Sequence, residues 1–211
     1  MRIHQVDHPL IAHKLTQLRD RNTSATGFRQ LTNELVQLLA FPATANLPTV
    51  PKNITTPVCD AVGAELGGRT PLIVPILRAG LGMLEGMSKF LPEAEVGFLG
   101  MVRNEETLKI ETYAERLPAD LTGRHVYILD PMLATGNTMV AALHYLREAG
   151  AASLTCICIV AAPEGIAQLE EKASGFDVDL YIASLDDGLT ESAYIRPGLG
   201  DAGDRLFGTS E

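Results

Sequence analysis

Val126–Thr138 reads VYILDPMLATGNT. Four largely apolar residues run into Asp130, a short turn follows, and Thr135-Gly136-Asn137-Thr138 leads into Met139, Val140, Leu143 and Leu146, spaced as one face of a helix. This order describes a buried strand ending in a carboxylate, a turn, and a helix start. Open α/β sheets bind ligands beyond the carboxyl ends of their strands. Backbone N–H groups and two hydroxyls at a helix N-terminus suit a phosphate, and the carboxylate before them suits sugar hydroxyls. Together they point to a ribose 5-phosphate.

Working outward, His125–Asp130 is one of five short apolar runs. The others are Leu72–Leu77 (LIVPIL), Val96–Met101, Leu154–Val160 and Val178–Ala183. Helical patterns lie between them: Met83–Phe90, a stretch ending at Glu148, and one that Pro163 opens and Ser174-Gly175 closes. The alternation predicts an α/β fold with a mostly parallel five-stranded sheet flanked by helices. Upstream, residues 9–21 read as a short helix. Ser24 or Thr26 can cap a second helix reaching about Phe41, with Phe28, Leu31, Leu35, Leu38 and Leu39 as its apolar stripe. Pro42, Pro48, Pro51 and Pro57 make residues 42–58 extended, an arm or edge hairpin of the kind that reaches a second subunit. Residues 102–124 are polar, a connection long enough to serve as a lid.

The chain has 211 residues, 46% of them hydrophobic and 20% charged, enough for one large domain with a real core. The division expected is an N-terminal region of helices and arm over 1–70, an α/β core over 71–183, and a terminal segment over 184–211. No apolar run approaches the ~20 residues of a membrane span, and the start does not read as a signal peptide. A net charge of −9 argues against non-specific nucleic-acid binding, which needs Lys and Arg to neutralise phosphates. Cys59, Cys156 and Cys158 are odd in number and lack CxxC spacing, so neither a disulfide framework nor a zinc site is expected, and a reducing, cytoplasmic setting fits. His4, His8 and His13 read as surface or packing residues, since no carboxylate partners complete a metal site.

Three segments converge on one sheet edge if this fold holds: Arg78-Ala79-Gly80-Leu81-Gly82, Arg103-Asn104-Glu105-Glu106-Thr107, and Asp130–Thr138. Glycines let backbone approach a ligand closely, and arginine offers a planar fork for phosphate oxygens. The spacing is neither a dinucleotide fingerprint nor a Walker A loop. Two phosphate-friendly loops around one carboxylate suggest a ligand with phosphates at both ends. A fourth segment, Tyr194–Asp204 (YIRPGLGDAGD), makes a tight backbone able to read the edge of a flat amide-bearing base, and Ile195, Leu199, Leu206 and Phe207 give it apolar anchors.

These residues resemble the type I phosphoribosyltransferases and, within them, the uracil phosphoribosyltransferase family. The resemblance spans nearly the whole chain: VPILRAGLGM (74–83), RNEETL (103–108), DPMLATGNT (130–138), VAAPEGI (160–166) and YIRPGLGDAGDRLFGT (194–209). It implies transfer of ribose 5-phosphate from 5-phosphoribosyl 1-diphosphate (PRPP) to N1 of uracil, giving UMP and diphosphate, a step of pyrimidine salvage. By the same resemblance, Arg78 and Arg103 bind the diphosphate side of PRPP. Asp130 takes the ribose hydroxyls, and Pro131, Met132, Leu133, Ala134, Thr135, Gly136, Asn137 and Thr138 complete the PRPP loop. Ile195, Gly200, Asp201 and Ala202 bind uracil, and 184–211 forms a hood over it. Asp201 also approaches PRPP; Asp201, Arg103 and Asp130 are the implied catalytic residues. Mg²⁺ is the implied cofactor, GTP an implied activator, and a homodimer or homotetramer the implied assembly.

The chain departs from the type I pattern at four places. Many relatives have two adjacent acids at the ribose loop; here the second is Pro131, as in the uracil enzymes, so Mg²⁺ is expected through PRPP and water rather than a protein ligand. Asn137 stands where glycine is common, Val102 where an aromatic is common, and Arg196 where an apolar residue is expected. An RNA-binding regulator on the same fold and a phosphoribosyltransferase for another nucleobase are the alternatives. The charge counts against the first and the YIRPGLGDAGD loop against the second.

Overall fold

The computed structural model describes residues 1–103 and 110–209. In chain order it contains β1 (Arg2–Gln5), α1 (Pro9–Arg19), α2 (Ala25–Ala43), β2 (Thr49–Thr55), β3 (Asp60–Leu66), β4 (Leu72–Leu77), α3 (Leu81–Phe90), β5 (Glu95–Val96), β6 (Phe98–Arg103) and β7 (Ile110–Arg116). There follow β8 (His125–Leu129), β9 (Met132–Leu133), α4 (Asn137–Glu148), β10 (Ser153–Ala161), α5 (Pro163–Lys172), β11 (Val178–Leu185), β12 (Gly188–Leu189), β13 (Ile195–Arg196) and α6 (Ala202–Phe207).

The main sheet runs β1-β11-β10-β8-β4-β6-β7, and only the β6–β7 pair is antiparallel. The five expected strands form its middle as β4, β6, β8, β10 and β11. Because side chains alternate across a strand, the sheet builds two cores. Leu72, Val74, Ile76, Val126, Ile128, Cys156, Cys158, Leu180 and Ile182 face α4 and α5. Ile73, Tyr127, Leu129, Ile157, Ile159 and Tyr181 face α1, α2 and α3, with Leu199 and Leu206 of the tail packed in the same cluster. The two strand cysteines are buried free thiols, and burial pushes both up.

Helix starts follow their caps. His8 Nδ1 accepts Leu10 N–H at 3.1 Å ahead of Pro9, which gives that histidine a capping role. Ser24, not Thr26, caps α2 through Gly27 N–H at 3.2 Å. The helix runs two residues past Phe41, with Pro42 in its last turn.

The edges correct the sequence reading. Residues 102–124 are not one irregular connection: Ile110–Arg116 (IETYAER) is a strand that pairs with β6 through a bulge between Gly100 and Met101. Gly100 permits this, since a Cβ there would lie 2.7 Å from the Tyr113 ring. At the other edge, Arg2 and His4 bond Asp179 at 2.6–2.8 Å, and His4 stacks on Tyr181 with ring centroids 4.4 Å apart, which pins β1 to β11. The proline-rich segment is the hairpin β2–β3, a separate two-stranded sheet with nearly every residue exposed.

Candidate active site

β8, β4 and β6 run parallel and adjacent, so the segments after them open on one edge. The loop after β8 stays attached to the sheet. Pro131 O accepts Ile159 N–H at 3.0 Å and Val160 N–H at 3.1 Å, Leu133 O accepts Ala162 N–H at 2.9 Å, and β9 pairs with the end of β10. Gly136 then takes φ +82° at the N-cap of α4; a Cβ there would sit 2.8 Å from Gly165 O. Gly165 reciprocates from α5, where a Cβ would lie 2.5 Å from Ala134 O. The two glycines let the loop and α5 touch backbone to backbone, beside a concavity of about 80 Å³ lined by Asp130, Met132, Leu133, Ala134, Thr135, Gly136, Thr138 and Met139.

Asp130 lines this concavity, with Oδ1 accepting Met132 N–H at 3.3 Å. Burial pushes its carboxyl up to about 6, with the Met132 bond opposing. Asn137 is the first residue of α4 and takes helical backbone, so the left-handed position belongs to Gly136 alone. Its Oδ1 accepts from Gln168 of α5 at 3.4 Å.

The Arg78 turn lies beside Asp130. A Cβ on Gly80 would be 2.3 Å from Leu129 O, so glycine is what allows this turn to close against the end of β8. Arg78 itself is exposed and is not a wall of the two concavities described in this section. Arg103 ends β6; the role expected of its side chain, and the motif residues 104–108, fall outside the described part.

The tail closes the site from the other side. β12 and β13 pair antiparallel, with Ile195 buried and Arg196 exposed. Asp201 Oδ1 caps α6 by accepting Asp204 N–H at 2.9 Å. Ala202 is fully buried behind it. Leu199 and Leu206 are buried as expected of anchors, whereas Phe207 is 43% exposed. Between the tail and the β8 loop is a second concavity of about 260 Å³, walled by Met132, Ala134, Ser192, Ala193, Tyr194, Ile195, Gly200 and Asp201. Met132 and Ala134 line both concavities, so the two lie side by side.

The model of the uracil phosphoribosyltransferase family matches residues 5–209. The chain belongs to this family. The uracil phosphoribosyltransferase of Paenarthrobacter aurescens (strain TC1) is 61% identical over 210 residues, a coverage of 100% of each chain to the nearest per cent. The solved structure of the AQ2163 protein from Aquifex aeolicus is 41% identical, covers 99% of each chain and superposes with a TM-score of 0.91. A hypoxanthine-guanine phosphoribosyltransferase from Bacillus anthracis, 10% identical over 77% of this chain and 82% of its own, has a TM-score of 0.50 and shares the fold.

Within this uracil phosphoribosyltransferase fold, several cleft and supporting residues escape a sequence reading. Ser192 and Ala193 wall the second concavity just ahead of the Tyr194–Asp204 segment. Gly165 backs the phosphate loop, and only the VAAPEGI motif hinted at it. Arg29 Nη1 donates to Leu206 O at 2.8 Å and Gly82 meets the Leu206 side chain, which seat α6 on α2 and α3. None of these contacts has a local periodicity that would announce it.

Proposed function

We propose that this chain transfers the 5-phosphoribosyl group of PRPP to N1 of uracil, forming UMP and diphosphate. The observation that carries the reading is the shared wall of Met132 and Ala134 between the phosphate concavity and the base concavity. It sets a sugar phosphate and a flat base side by side at one carboxylate. The C1–O bond of PRPP breaks with its electron pair leaving on diphosphate, the ribose gains oxocarbenium character, and N1 supplies the pair for the new C–N bond. The N1 proton is released as the base adds. Asp130 holds the ribose hydroxyls and Ala134–Thr138 hold the 5-phosphate. Arg78 and Arg103 meet the charge that gathers on diphosphate, and Asp130 and Asp201 set negative charge near the developing cation. Ile195, Gly200, Asp201 and Ala202 receive uracil, mainly through backbone.

Mg²⁺ supplies charge neutralisation to the diphosphate when bound. The donor set suits a metal that arrives on its anion: Asp130 is the one acid of its loop, with Pro131 beside it, and no group of three metal-ligating side chains occurs among the described residues. The proposal takes the chain as one phosphoribosyltransferase domain with 184–211 as its base-binding hood. It extends to a homodimer or homotetramer with the β2–β3 hairpin as the reaching arm, to GTP activation, and to a cytoplasmic setting. No described helix is long and apolar enough to cross a membrane.

The test is a nucleobase panel with PRPP and Mg²⁺, with and without GTP. Uracil consumption with diphosphate release is the expected outcome; consumption of hypoxanthine or orotate with uracil untouched would overturn it. Arg103→Ala should chiefly raise KM for PRPP, and unchanged kcat and KM would remove that arginine from the site.

A further inference from the structure

One ion pair stands outside the cleft and grips the loop that forms its base side. Arg19, the last residue of α1, donates from Nη2 to Asp186 Oδ1 at 2.6 Å and from Nη1 to Asp186 Oδ2 at 2.7 Å. The same Nη1 donates to Gly198 O at 2.8 Å, and Gly198 N–H donates to Asp186 Oδ2 at 2.9 Å. Both polar groups of one residue in the base loop are thus held by the two halves of one pair. Ser184 Oγ completes the ring, donating to Asp186 Oδ1 at 2.8 Å and lying 3.1 Å from Arg19 Nη2. The Asp186 side chain is 1% exposed and that of Arg19 21%. Burial by itself would raise the Asp186 carboxyl, but bonds from Arg19, Ser184 and Gly198 outweigh it and leave the group below its ordinary value.

The loop packs closely around this grip. Gly198 takes φ +63°, and a Cβ there would lie 2.0 Å from Ile195 O. One residue on, Leu199 O accepts Arg205 Nη1 at 3.0 Å; Arg205 also donates to Asp20 O at 2.6 Å and lies 4.4 Å over the Phe28 ring. The carbonyls of Gly198 and Leu199 are therefore turned to arginines behind the loop. The next two residues, Gly200 and Asp201, are the ones that wall the base concavity.

We propose that Arg19 and Asp186 are positioning residues for the nucleobase, fixing the height and tilt of Gly198–Gly200 and thereby base affinity, while making no bond to Asp201 or to the phosphate concavity. The bidentate pair is a rigid fork, so a loop held by it through both its N–H and its C=O presents one backbone pattern to the base. The phosphate concavity is built by β8, β9, α4 and α5 and receives no bond from either residue. This inference rests on the reading of the cleft as a uracil site.

The experiment measures kcat and KM for both substrates in Arg19→Lys, Arg19→Gln, Asp186→Asn and Ser184→Ala, together with the thermal shift on adding PRPP and Mg²⁺. The expected result is a rise of at least about tenfold in uracil KM for Arg19→Gln and Asp186→Asn, a smaller rise for Arg19→Lys, and a two- to fivefold rise for Ser184→Ala. PRPP KM should stay within about threefold of wild type, and the PRPP thermal shift should persist. Unchanged uracil KM in all four would overturn the proposal. So would a parallel rise in both KM values with loss of the PRPP shift, which marks general damage. If Arg19→Gln does not fold, Ser184→Ala and Arg19→Lys decide by the same criteria. If wild-type protein consumes a different base, the functional reading fails first, and the same ratios measured on that base judge the clamp separately.

Discussion

The two halves of the cleft are built in opposite ways. The phosphate half is local: Asp130 to Thr138 is continuous chain, braced by the adjoining β10 and by Gly165 of α5, and nearly all its contacts are backbone. The base half is assembled from afar. Gly198 is held by an arginine 179 positions away, and Arg205 reaches an α1–α2 carbonyl 185 positions away. A loop braced by its neighbours serves any ligand with a phosphate, whereas a loop hung from remote side chains can be tuned without disturbing the first. On the proposed reading, the phosphate and the base then sit on separate supports.

Several substitutions would break or sharpen this contrast. Asp130→Asn attacks the local half. A charge-assisted bond is worth about 1.5–3 kcal/mol, so kcat/KM for PRPP should fall by about a hundredfold; a loss under fivefold would show that Asp130 does not bind the ribose. Asp201→Asn attacks the junction and should cost more than about tenfold in kcat/KM, roughly 1.4 kcal/mol of transition-state stabilisation; a near-wild-type rate would remove Asp201 from the mechanism.

Titration near neutral pH reaches the phosphate half through Asp130. The Asp130 carboxyl is raised to about 6, so its charged form is lost as pH falls through that value. Free-enzyme kcat/KM for PRPP should drop about tenfold per pH unit below 6, and Asp130→Asn should lack this limb. Folding linkage has the opposite sign: the folded chain keeps a proton that the unfolded chain releases, so this group's contribution declines as pH rises from the ordinary carboxylate value of 3.8 toward 6.

Gly198→Ala tests the remote half through its backbone. A left-handed alanine costs about 1–2 kcal/mol and its Cβ would meet Ile195 O. Thermal unfolding should fall by several degrees and uracil KM should rise, with PRPP KM nearly constant. The smallest effect belongs to Phe28→Leu, which removes the ring beneath Arg205. With a cation–π contact worth about 0.5–1 kcal/mol, uracil KM should rise two- to threefold, and an equal change in PRPP KM would blur the division between the halves.

Reading residues in order served these halves unequally. The strand, carboxylate, turn and glycine of Val126–Thr138 were legible because each piece of that half follows the last along the chain. The five middle strands were legible because hydrophobic runs record burial. β7 was missed because Glu111, Thr112, Glu115 and Arg116 make its run polar, and an edge strand carries little apolar signal. β1 was missed because four residues pinned by Arg2 and His4 to Asp179 carry even less.

Sequence alone determined the α/β class, the strand-carboxylate-turn-helix run at Asp130 and, through YIRPGLGDAGD, the family, since these depend on burial periodicity and on contiguous motifs. It left Arg19 and Asp186 as an unremarkable helix end and an acid in a Gly/Asp-rich tail. Only tertiary structure decided that they meet, that Gly198 hangs between them, and that Met132 and Ala134 set the two concavities side by side. The physical reason is range: an ion pair needs two side chains within about 3 Å, and only the packing of α1 against β11 and the folding back of the tail bring these two so close.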